Sequence, residues 1–147
     1  MKQLRSRAWY SGKVVFGVFS VLASTVGSAH AEKETVSQNG VTLTIGYFAG
    51  GGEDGSGAPT QEPGLDVERA QVCAEKPKAL TNAVLWMPDH GHGSSPTRVV
   101  ADTAASGRCF WIEDVEFIMP GDWEIRLQFA DDDRAVFKLH IHGDHGH

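Results

Sequence analysis

Apolar and polar positions alternate with period two along most of the chain beyond residue 40. Val41, Leu43, Ile45 and Tyr47 fall on one face of segment 41–48, with Thr42, Thr44 and Gly46 on the other, as in a half-buried strand. Ile125, Leu127 and Phe129 alternate with Glu124, Arg126 and Gln128 in segment 123–130. Phe137, Leu139 and Ile141 repeat the pattern after a charged turn at Asp131–Asp133. Shorter strand patterns run over 67–74, 81–87 and 97–101. A longer one covers 109–119, with Val115, Phe117 and Met119 on one face and a bulge expected at Glu113-Asp114. Pro and Gly punctuate the gaps between these segments. About seven short strands at regular spacing, with no helical period among them, predict an all-β fold: an immunoglobulin-like antiparallel β-sandwich.

The first 31 residues follow a different rule. Lys2, Arg5, Arg7 and Lys13 make a basic start, Val14 to Val26 is mostly apolar, and Ala29-His30-Ala31 fits the small-x-small cleavage rule. That run is too short for an ordinary membrane span. Residues 1–31 are therefore expected to be a cleaved signal peptide for the periplasm or secretion. No cysteine stands at the cleavage site to carry a lipid, and Arg5 and Arg7 are not adjacent, which disfavours a twin-arginine signal. Cleavage after Ala29 instead would make His30 the new N-terminus, whose amine and ring could chelate copper. Beyond the signal the expected organisation is an N-terminal segment at 32–40, one sandwich domain at 41–142 and a His-containing tail at 143–147. Within the domain, residues 49–64 are rich in Gly, Pro, Ser and acids without periodicity, and read as a long flexible loop.

Charge narrows the function. The whole chain carries 13 Lys and Arg against 19 Asp and Glu, a formal −6. Removing the signal takes away four of the 13 bases and no acid, leaving 9 against 19, or −10. A chain this acidic lacks the basic face that nucleic acid requires. It suits an anionic membrane surface poorly and is compatible with cation capture. Cys73 and Cys109 are the two cysteines. An oxidising compartment favours a disulfide between them. The competing reading makes them thiolate ligands, although neither lies in a Cys-x-x-Cys pair or beside a His.

The segment Met87-Pro88-Asp89-His90-Gly91-His92-Gly93 sets a thioether and two imidazoles within one Gly/Pro-punctuated turn. Thioether and imidazole together are the donors that soft or borderline metals such as copper prefer. Gly91 lets the backbone bend both rings toward one point. A second turn, Met119-Pro120-Gly121, closes the following long strand. Met87, His90, His92 and Met119 are thus candidate metal ligands, with Asp89 as a further ligand or an orienting group. Against this, a Met before a Pro at a strand end fills an irregular core gap well, and paired imidazoles can simply fix a turn. Trp86 and Trp123 flank the two turns as core or rim residues; a Trp face beside a Cu(I) site is the lesser alternative. His140, His142, His145 and His147 form a second cluster near the C-terminus, suited to Cu(II) or Zn(II), or else a solvated tail.

Residues 86–96, Trp-Met-Pro-Asp-His-Gly-His-Gly-Ser-Ser-Pro, followed by 117–125, Phe-Ile-Met-Pro-Gly-Asp-Trp-Glu-Ile, resemble the YtkA-like domain, related to FixH-like proteins. The resemblance covers residues 65–141. It implies an exported or membrane-tethered bacterial β-sandwich that handles copper, with Met87, His90, His92 and Met119 as ligands. A copper-accepting protein or an oxidase assembly factor would be its partner. No FixH-type transmembrane anchor is expected, which argues against a role inside a membrane oxidase-assembly complex. The cysteines are not part of the motif.

The sequence holds no Gly-rich phosphate loop, no Gly-x-Ser-x-Gly elbow and no His-Glu-x-x-His helix. The expectation is a binding protein rather than an enzyme: a periplasmic copper carrier, with Cu(I) at the turn. The alternative is an interaction module whose Met-Pro turns are only structural.

Overall fold

A computed structural model describes residues 33–50 and 57–143. The expected signal peptide, its cleavage site and His30, together with Asp144, His145 and His147, lie outside the described residues. Ten strands follow in chain order: β1 (Lys33–Val36), β2 (Thr42–Ala49), β3 (Ala58–Thr60), β4 (Val67–Ala74), β5 (Leu80–Met87), β6 (His92–Gly93), β7 (Arg98–Ala101), β8 (Cys109–Glu113), β9 (Gly121–Phe129) and β10 (Arg134–Ile141). One sheet has the order β1-β2-β4-β8-β7, with β3 also on β2; the other has the order β10-β9-β5-β6. All strand pairs are antiparallel. In immunoglobulin terms β2, β4, β8 and β7 take the A-B-E-D places, and β10, β9 and β5 take G-F-C. The fold is the immunoglobulin-like β-sandwich expected.

The period-two pattern explains why the sheets stack. Leu43, Ile45 and Tyr47 of β2, Val67, Ala70 and Val72 of β4, and Ile112 of β8 are buried. From the other sheet Leu85, Ile125, Leu127, Phe129, Phe137, Leu139 and Ile141 complete one core. Each buried Val, Leu, Ile or Phe among them contributes roughly 1.5–3 kcal/mol on burial.

The Cys73–Cys109 disulfide joins directly paired residues of β4 and β8, with Cα atoms 4.1 Å apart. It therefore staples neighbouring strands within one sheet rather than bridging the two sheets.

Three elements differ from expectation. The strand predicted over 109–119 ends at Glu113, because Asp114 adopts φ +59. This left-handed residue breaks the ladder where the chain must leave one sheet for the other. Val115 then donates its N–H to the Glu68 carbonyl (2.9 Å), and Val115 and Phe117 still face the core. Segment 32–40 contains β1, and the aperiodic stretch 49–64 contains β3, whose Pro59 suits an edge position. β1 also reaches the second sheet. Lys33 Nζ and Thr35 Oγ1 donate to the Lys138 and Val136 carbonyls of β10, at 3.0 and 3.1 Å. It thereby covers the β10 edge, which would otherwise offer unpaired backbone groups.

Beyond β10, an isolated parallel bridge pairs His142 with Gly64. No described helix is long and apolar enough to cross a membrane.

Candidate metal centre

β5 delivers Met87 to the sandwich end and the chain reverses at once. The Met87 carbonyl accepts the N–H groups of His90 (3.2 Å) and Gly91 (2.9 Å), a single helical turn that is not continued. Gly91 sits at φ +68, where a residue with a Cβ is disfavoured. The return strand β6 then pairs His92 with Met87 and Gly93 with Trp86. Directly opposed residues of an antiparallel pair share a sheet face, with Cβ atoms about 4.5–5.5 Å apart. The register therefore puts the His92 and Met87 side chains on the same face of this pair. His90 joins from the turn, its ring centroid 5.7 Å from that of His92.

The second Met-Pro turn meets the first. Gly121 is at φ +131, and a Cβ built there would stand 2.8 Å from Met87 Cε. Met119 packs partly buried against the core, and its carbonyl accepts the Trp123 indole N–H at 3.0 Å. The two turns thus meet at one sandwich end, where the Met87 methyl reaches Gly121.

Burial separates the four candidates. Met87 is only 1 % exposed, His90 is exposed, and His92 and Met119 are half-buried. Met87 is thus a core residue whatever else it does. Two imidazoles on one metal, with metal–nitrogen bonds of about 2.0–2.1 Å, have centroids roughly 4.5 Å apart at a right angle and roughly 5.5 Å apart at a trigonal angle. The His90–His92 spacing is near the wider value. The donor set of two half-buried groups, one exposed imidazole and a core thioether fits a soft, low-coordinate ion better than a hard one. Among the described residues, no three His, Cys, Asp or Glu side chains are grouped to hold a metal ion. A site at the turn with three or more protein ligands would therefore need a methionine sulfur.

The tryptophans have other partners. Trp123 is buried edge-to-face against Phe117, with centroids 5.3 Å apart. Trp86 carries the Arg126 guanidinium 4.9 Å from its ring centroid, and Arg126 also pairs with Glu124 at 2.8 Å. The cation on Trp86 is an arginine.

Sequence reasoning missed Asp122. Its Oδ1 lies 2.6 Å from His140 Nδ1, and the β9–β10 register pairs the two residues directly. Counting back from the Asp131–Asp133 turn would have found this partner, because register across a short hairpin is fixed by its turn. His140 and His142 lie on the exposed side, with ring centroids 4.9 Å apart. Pro88, Asp89, Asp122, Trp123, Lys138 and His140 line a shallow cleft of about 320 Å³. The first turn and the start of the C-terminal His cluster thus share one rim.

A larger cleft of about 500 Å³ lies elsewhere. It is lined by Phe48, Glu68, Arg69, Glu113, Asp114 and Glu116, among others. There Arg69 stacks over Trp111 at 4.2 Å and Phe48 at 5.7 Å. Its own aromatic neighbours account for its position, and no predicted ligand lies among the lining residues.

No protein-family model, curated protein or solved structure matches the chain, so the likeness to the YtkA-like domain rests on the two turn motifs themselves.

Proposed function

We propose that this chain is an exported copper-binding protein, with a Met/His site for Cu(I) built on Met87, His90, His92 and Met119. The observation that supports the reading is the Met87–His92 register, which puts a thioether-bearing and an imidazole-bearing residue on one face at a strand end. His90 adds a second imidazole from the same turn. Soft thioether sulfur favours Cu(I), and imidazole tolerates either oxidation state. Copper carriage to an accepting protein or an oxidase assembly factor, in the periplasm, is the role that follows from the family likeness. Binding without catalysis is part of the same proposal.

The burial of Met87 favours a second reading, an interaction module in which the Met-Pro turns serve packing alone. A competition titration separates the two. The full chain carrying His145→Ala and His147→Ala should take up one equivalent of Cu(I), and adding His90→Ala with His92→Ala should abolish that uptake. Absence of Cu(I) uptake in the variant that keeps His90 and His92 would establish the interaction module instead.

A further inference from the structure

The His140–Asp122 pair carries an inference separate from the copper turn. In a metal-binding imidazole the nitrogen that does not ligate almost always donates its N–H to a carboxylate or carbonyl, which fixes the tautomer and raises the basicity of the ligating nitrogen. Asp122 Oδ1, 2.6 Å from His140 Nδ1, is placed to accept that proton's hydrogen bond. His140 Nε2 is then the nitrogen left to face outward. His142 stands two residues along and is also exposed. Their ring centroids are 4.9 Å apart, inside the roughly 4.5–5.2 Å that two cis imidazoles on a square or tetrahedral ion require at metal–nitrogen distances of about 2.0–2.1 Å.

The backbone holds both residues in place. His140 is paired with Asp122 in the β9–β10 ladder, and His142 is bridged to Gly64. Only side-chain torsions remain to be set when a cation arrives, which keeps the ordering cost low.

We propose that His140 and His142, with Asp122 as the positioning carboxylate, form a two-imidazole site for a borderline divalent cation such as Zn(II) or Cu(II), leaving its remaining positions to water or a small ligand. Nitrogen donors without sulfur suit these ions, whereas the Met/His turn suits Cu(I). The site depends on neither methionine and stands or falls independently of the copper reading.

The test uses the full chain with His90, His92, His145 and His147 all changed to Ala, titrated with Zn(II) and separately with Cu(II). One equivalent of each should bind, with both the His140 and His142 ring resonances shifting in long-range ¹H–¹⁵N spectra. Adding His140→Ala or His142→Ala should abolish uptake; both residues are exposed, so the fold should persist. Adding Asp122→Ala should weaken binding by about tenfold to a hundredfold. In the metal-free protein the same change should remove the Nδ1–H tautomer preference of His140, and the loss of metal affinity is the readout that a merely structural carboxylate would not move. Loss of all binding in the starting quadruple variant, or Asp122→Ala with unchanged affinity and tautomer, would overturn the proposal.

Discussion

Met87 and His92 face each other across the β5–β6 pair, one in the core and the other half-exposed. Met87 fills the end of the core, and the proposed copper site asks its sulfur to serve as a ligand as well. Two substitutions separate these roles. Met87→Leu nearly conserves volume and should cost less than about 1.5 kcal/mol in denaturant unfolding. Met87→Ala leaves a cavity and should cost about 2–5 kcal/mol. Leucine has no donor atom, so Cu(I) affinity should fall in Met87→Leu although the fold survives. Unchanged affinity in that variant would assign Met87 to packing alone.

Gly121 is constrained from two directions. Its φ of +131 disfavours any Cβ, and the nearest atom to such a Cβ is Met87 Cε at 2.8 Å. The methyl is the free end of a flexible side chain and can shift, whereas the backbone conformation cannot be relieved as cheaply. Gly121→Ala should therefore destabilise by about 1–3 kcal/mol. In the Met87→Ala background the steric part should vanish and the conformational part remain. A double-mutant cycle on thermal or denaturant unfolding measures the difference; strict additivity would mean that the two residues do not touch.

The core was legible in the sequence because both faces of the sandwich use strict alternation. Every inward position read in β9 and β10, from Ile125 to Ile141, is buried. The pairing of Cys73 with Cys109 followed from compartment chemistry, but its place within one sheet required the β4–β8 register. β1 was not legible. Lys-Glu-Thr-Val offers a single apolar residue, and Val36 is exposed; its order comes from pairing with β2 and from hydrogen bonds to β10. The pattern at Glu113-Asp114 reads as a bulge, since charge in a strand pattern marks a defect without revealing that the chain changes sheets. For the candidate ligands, the sequence located both turns, yet the direction in which Met87 points depends on tertiary packing.

The disulfide closes a loop between residues 36 apart in sequence. On loop-closure entropy that is worth roughly 4 kcal/mol relative to an uncrosslinked unfolded chain. Denatured, non-reduced protein should show no free thiol to a labelling reagent. Cys73→Ala with Cys109→Ala should fold to the same sandwich with a lower unfolding midpoint. Two reactive thiols in the unreduced protein would contradict the pairing.

Lys78 and Asp133 give the stability of this sandwich an acid limit. The Lys78 ammonium lies 3.0 Å from Asp133 Oδ2 and 2.6 Å from Asp131 Oδ2, and it sits 4.8 Å from the Phe129 ring centroid. Asp133 Oδ1 also accepts the N–H groups of Asn39 (3.0 Å) and Arg134 (2.8 Å), tying the β1–β2 connection to the β9–β10 turn. Burial alone would push the Asp133 carboxyl up. Hydrogen bonds from Ser37, Lys78 and the Asn39 and Arg134 backbones outweigh it and hold the group at about 2, below its ordinary value of 3.8. A carboxyl with a lower value in the folded state than in the unfolded state stabilises the fold above the unfolded value. That contribution is lost as the pH falls through the folded one. Stability should thus decline between about pH 4 and pH 2 as Asp133 takes up its proton. Asp133→Ala removes the acceptor of several part-buried donors and should cost about 1–3 kcal/mol near neutrality. It should also flatten the acid limb of a plot of unfolding free energy against pH. An acid limb as steep in Asp133→Ala as in the parent chain would place the acid-sensitive group elsewhere.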